Sequence, residues 1–190
     1  MPDMPNVEAF WAWSLQRWSK PNVAEALLRL QEQQGCVVLE LLLLVWLDQN
    51  DMLLSSVGYQ KLREAAEPWN RDIVRTLRSV RTAWRGRRDL HSLRQRLKGL
   101  ELMAERSLAE LYMEVLDALA PEDLSVGAAS DPASNLMLAV AAAPPALAVH
   151  QAEAVLELLT RSALKTMVRL GRQSLGWQNG GTVRTMCVAE

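Results

Sequence analysis

Apolar positions recur every three or four residues along most of the chain, and that rhythm predicts a succession of helices. Asn6 is placed to cap a first helix running from Asn6 to about Ser19, with Glu8 in its first turn. Trp11, Leu15 and Trp18 share one of its faces, while Phe10 and Trp13 point elsewhere. Lys20-Pro21 restarts the chain, because Pro fits a first helical position and disfavours helix before it. Val23, Ala26, Leu27 and Leu30 form the stripe of a second helix, which Gly35 ends. From Val37 to Leu47 the sequence is apolar nearly all round. A helix of that kind is covered on every side, so this segment is the predicted centre of the core. Asp48-Gln49-Asn50-Asp51 supplies turn chemistry, Ser55 or Ser56 caps a short helix to Ala66, and Pro68 starts another.

The fifth helix, about Trp69 to Arg85, is sharply two-faced. Ile73, Leu77, Val80 and Trp84 fall in one narrow sector, opposite Arg71, Arg75, Arg78 and Arg85. A sixth helix, roughly Leu90 to Leu119, carries a broad apolar stripe from Leu93 through Leu97, Leu100, Ala104 and Leu108. Gly99 within it reads as a bend or a close helix contact. Pro121 to Ser134 has linker composition; an alanine-rich piece to Ala143, a Pro144-Pro145 break and a last helix to about Arg172 follow. Sustained two-residue alternation is missing, so the fold class is all-α: a compact helical bundle with one long helix, about 90–119, and a C-terminal helical segment. The expected organisation is a helical core over 6–120, a linker over 121–134, a helical segment over 135–173 and a flexible tail over 174–190.

Composition adds limits. In 190 residues, 49% are hydrophobic and 23% charged, which is globular rather than disordered composition. The two cysteines, Cys36 and Cys187, are no disulfide framework, and Cys36 reads as a small buried hydrophobe. The longest apolar run, Cys36 to Leu47, contains Glu40 and is well short of the ~20 residues a membrane-spanning helix needs. Met1 to Pro5 shows no basic region ahead of an apolar stretch, and a cytoplasmic location is expected.

Several words in the chain are distinctive: Phe10-Trp11-x-Trp13-Ser14-Leu15-x-x-Trp18, then Leu30-Gln31-Glu32-x-x-Gly35, then Trp46-Leu47. With Trp69-x-x-x-Ile73-Val74 and Glu101-Leu102-x-Ala104-Glu105-Arg106, they resemble a proteobacterial family of short hypothetical proteins that forms a domain of unknown function. The resemblance covers about residues 9 to 120. The chain departs from the family pattern at Val37 and Leu39, where that family carries Asp and Asn. The resemblance implies a bacterial helical protein and brings no catalytic residues or cofactor with it.

Signatures of chemistry are missing from the sequence. Neither His91 nor His150 follows Glu at the spacing of a di-metal bundle site, and two His with two distant Cys form no zinc set. No phosphate loop, dinucleotide fingerprint or nucleophile elbow occurs. The expectation is therefore no enzyme, no metal and no cofactor.

Charge is strongly segregated although the net charge is only −1. Residues 69–98 hold ten basic and two acidic side chains, and residues 99–160 hold one basic and ten acidic. Arg71, Arg75, Arg78 and Arg85 are thus a candidate partner-binding face. The alternative is internal: a folded-back hairpin would set those arginines beside Glu101, Glu105 and Glu110. Seven of ten aromatic residues are Trp. Trp11, Trp13 and Trp18 are either core or a second partner contact, since Trp and Arg dominate binding hot spots. The reading that follows is a non-enzymatic interaction or regulatory protein that binds a protein partner. A nucleic-acid or ribosome-associated role through the same arginines, and small-molecule binding between helices, remain as alternatives. The broad stripes of the long and last helices also allow a homo-oligomer.

Overall fold

The structure, a computed structural model, describes residues 6–126, 134–142 and position 157. Asn6 caps α1 (Val7–Trp18) by accepting the Glu8 amide at 2.8 Å. Pro21 opens α2 (Pro21–Gln34), and Gly35 closes it in the left-handed region at φ 69°, where a side chain would be strained. The apolar segment forms α3 (Val38–Gln49), with Leu39 to Leu47 all buried. It touches α1, α2, α7 (Ser134–Ala142) and a short strand, β1 (Met52–Leu54), which makes it the predicted centre of the core.

Ser55 caps α4 (Ser56–Trp69). The helix then passes through Pro68 into a π-helical turn (Asn70–Val74) and on into α5 (Arg75–Ala83). One rod thus replaces the two helices expected on either side of Pro68. Pro68 sits on the exposed side, where its missing N–H leaves only a solvated carbonyl, and the wider i→i+5 bonding of the π turn takes up the mismatch. After a turn at 84–90 the long α6 (His91–Ala118) runs back along α5 and α4.

The bundle carries one feature that the periodicity hides. Leu124–Val126 forms β2, which pairs antiparallel with β1 in the register Met52↔Val126, within the stretch of linker composition. Strands of three residues are too short to show alternation. The turn before β2 is locked onto the start of α4: Ser55 donates through its amide to the Asp123 carbonyl at 2.9 Å, and Lys61 pairs with the Asp123 carboxylate at 2.7 Å. A Cβ on Gly58 would lie 2.4 Å from the same carbonyl, so only glycine admits the turn.

Three faces differ from the expected ones. On α1, Phe10, Ser14 and Arg17 turn inward, and the predicted Leu15–Trp18 side is exposed. No residue of α5 is fully buried, and Ile73 and Val80 of its apolar sector face solvent. The N-terminal half of α6 exposes Leu93 and Leu100, and nothing approaches Gly99, which marks no close contact. Apart from position 157, the expected last helix and tail, with His150 and Cys187, lie outside the described residues, whereas Cys36 lies half-buried in the α2–α3 loop.

Candidate functional site

The arginines of α5 do not act as one face. Arg78 donates from Nε to Glu101 at 2.8 Å and from Nη2 to Glu105 at 2.6 Å, while Arg81 is bonded to Glu101 as well. Arg94 reaches back to the Arg81 carbonyl at 3.2 Å. These groups form a half-buried polar seam between the antiparallel α5 and α6. Glu110 is not part of it and instead meets Arg106. Arg71 is tied to the adjacent Asp72, and Arg75 approaches Glu67 at 3.8 Å. Arg85, Arg88 and Arg96 make no ion pair among the described residues and are exposed.

The apolar sector of α5 is divided: Leu77 packs against the core, whereas Ile73 and Val80 face solvent. Val80 of α5, and Leu93 and Leu100 of α6, each lie roughly a third of a turn from the seam at 100° per residue. The displacement has the same sense on both helices, and in an antiparallel pair that puts them on one side of the hairpin. Ile73, Val80, Leu93 and Leu100 are 39, 36, 49 and 51% exposed. Exposed apolar residues of both helices thus stand on one flank of the hairpin, with unpaired arginines at its tip.

The tryptophans of α1 are divided. Trp11 lies under the Arg106 guanidinium at 5.6 Å, and Trp13 lies under that of Arg17 at 5.1 Å with its indole N–H donating to Gln49. Only Trp18 of the three is exposed. Arg17 is buried, and its Nε and Nη1 have no hydrogen-bond partner.

Two clefts meet at the π turn, and sequence reasoning did not locate them. The first, about 580 Å³, is lined among others by Glu40, Tyr59, Arg63, Glu67 and Tyr112. Tyr59 donates to the buried Glu40 carboxylate at 2.5 Å, with Arg63 at 3.6 Å. Burial pushes the Glu40 pKa up against the pull of Tyr59 and Arg63, and pushes the Tyr59 hydroxyl up too. The second cleft, about 470 Å³, lies between the α2–α3 loop and α5 and is lined by Gln31, Cys36, Arg78, Ser79 and Thr82. Val37, Asn70 and Arg75 line both. Asn70 is 3% exposed, and its amide nitrogen has no partner. Among the described residues no cluster of His, Cys, Asp and Glu is placed to hold a metal ion, and no helix is long and apolar enough to cross a membrane.

A model of the family described as "Protein of unknown function (DUF2390)" matches residues 9–111, more than half of the chain. The chain belongs to DUF2390. No curated protein matches it, and no solved structure does. The DUF2390 segment spans α1 to most of α6 and so contains the seam, the apolar flank and the whole lining of the second cleft. The first cleft also takes Tyr112 and Leu138 from beyond it. Within DUF2390 residues, the one sequence signal that could have revealed the clefts is polar: Asn70 recurs four residues after Ala66 and four before Val74, on the buried face of the rod.

Proposed function

We propose that this protein is a non-enzymatic interaction protein whose α5–α6 hairpin docks an acidic amphipathic helix of a protein partner. One observation carries the reading: the hairpin pairs its charges inward and presents its aliphatic stripe outward, beside arginines that lack partners. Exposed apolar residues gathered on one flank mark interaction surfaces. The surplus of basic residues over 69–98 selects an acidic partner, and the seven-residue spacing of Ile73 and Val80, and of Leu93 and Leu100, suits a helix laid along the flank. Aliphatic side chains gain little against a phosphate backbone, so the flank favours protein over nucleic acid. Trp18 and Leu15, exposed on α1, form a second, separate contact of the same kind.

The test uses the full chain and a synthetic helical peptide with Leu at i, i+3, i+4 and i+7 and Glu elsewhere, followed by fluorescence anisotropy. Val80→Asp with Leu93→Asp is expected to weaken binding at least tenfold, on the order of the loss of two buried anchors. Arg85→Glu with Arg88→Glu and Arg96→Glu is expected to do the same and to remove the salt dependence. Arg78 is left intact because its reversal would break the seam. Unchanged affinity in both variants, tighter binding of a single-stranded oligonucleotide than of the peptide, or dimerisation through the flank would each overturn the proposal.

A further inference from the structure

We infer that the first cleft binds a small organic amine, whose N–H donors meet the carboxylate of Glu40. This site is independent of the hairpin flank. Glu40 is the one charged residue between Val37 and Leu47, in the helix whose other positions fill the core. Burying a carboxylate there is costly unless its oxygens are answered. The chain answers one of them. Oε1 accepts the Tyr59 hydroxyl at 2.5 Å, and the Arg63 guanidinium stands 3.6 Å from the same atom. Oε2 accepts no hydrogen bond among the described residues. Unlike the Asn70 amide nitrogen it is not sealed from water, although Glu40 is only 9% exposed and lines the cleft. An acceptor left open in this way is completed by a donor from outside the chain.

The rest of the lining favours a cation over an anion. Among the described lining residues, Glu40, Glu64 and Glu67 face only two guanidinium groups, those of Arg63 and Arg75. Arg63 stands beside Glu40 and Arg75 beside Glu67, so the charge left over is negative. Tyr59 and Tyr112 supply aromatic wall, and the Arg63 guanidinium already lies over the Tyr59 ring at 5.8 Å. Val37, Ala66 and Leu138 add apolar wall for the carbon skeleton of a ligand. A volume of about 580 Å³ exceeds a bare ion and fits a small metabolite. Burial penalises a lone charge on Glu40, and an ammonium against Oε2 offsets that penalty through a charge-assisted hydrogen bond.

Tyr59 and Tyr112 are the only tyrosines of the chain and both line this cleft, so tyrosine ring resonances report on it directly. The test is titration of the full chain, labelled with ¹³C in tyrosine, with benzylamine and, separately, with uncharged benzyl alcohol. Saturable shifts of the ring signals are expected with benzylamine at millimolar concentration, at an affinity roughly tenfold or more above that for the alcohol. Glu40→Gln keeps an oxygen for the Tyr59 hydroxyl and is expected to fold without loss of Tm, while weakening benzylamine by roughly tenfold or more. Tyrosine signals that do not respond to benzylamine, equal affinity for the alcohol, or affinity retained in Glu40→Gln would each overturn the assignment.

Discussion

At the scale of single residues, the polar groups inside this bundle divide into satisfied and unsatisfied ones. Asn135 of α7 is fully buried and uses both of its donors and its oxygen. It donates to Asp48 and to the Met52 carbonyl, each at 2.7 Å, and accepts the Leu54 amide at 2.8 Å. It thereby ties α7 to the end of α3 and the edge of β1. Asn135→Ala would remove one donor from the buried Asp48 carboxylate, which keeps the backbone amide of residue 135, and would leave a strand carbonyl and a strand amide unpaired; it is expected to lower stability by about 2–3 kcal/mol in urea unfolding. Asn135→Asp is expected to be worse, because it adds a second carboxylate against Asp48. Asn70 is the opposite case, buried at a similar depth with a nitrogen that nothing answers. Sequence alone does not tell these two asparagines apart, since each sits amid apolar neighbours at helical spacing.

Among elements, legibility follows how much of the determining physics is local. The uniformly apolar α3 and the glycine that ends α2 are fixed by their own residues, and both stand where the pattern puts them. The inward face of α1 was hidden because two of its three buried members, Ser14 and Arg17, are polar. The rod through Pro68 depends on i→i+5 bonding that no composition announces. The α5 sector is only partly inward, with Leu77 on the core and Ile73 and Val80 in solvent, because Arg78 and Arg81 find Glu101 and Glu105 across the hairpin, a tertiary choice that competes with helical amphipathicity. Glu101 is the pivot. Its burial pushes its pKa up, but the bonds from Arg81 and Arg78 outweigh that and hold the carboxyl below its ordinary value. Glu101→Ala would leave two half-buried guanidinium groups short of a partner and is expected to cost about 2 kcal/mol, towards the lower end for a paired charge removed from partial burial. Amide exchange over 76–100 should accelerate with it. Glu110→Ala, whose exposed pair with Arg106 is 3.4 Å long, is expected to change stability by less than about 0.5 kcal/mol.

Over the whole molecule, the same acids set how stability responds to pH, in two opposed directions. Asp123, bonded by Lys61, and Glu101 are held below their ordinary values. Such groups stabilise the fold above their unfolded pKa, and the contribution is lost as pH falls through the folded one. Glu40 and Glu105 are raised, each chiefly by burial, so the folded state holds their protons more tightly than the unfolded chain does. Their contribution is complete below the ordinary glutamate value of 4.5 and is lost as pH rises through the folded value. The molecule should therefore be most stable in mildly acidic solution and weaken towards neutrality. Glu40→Gln isolates the more buried source: the amide oxygen still accepts from Tyr59, but no charge has to be created at this buried position. Urea unfolding of the parent should show stability falling as pH rises above the ordinary glutamate value of 4.5 towards neutrality, and the variant a flatter curve. A variant that tracks its parent across that range would show that Glu40 keeps its charge when folded, and that its environment is more polar than its burial beside Tyr59 implies.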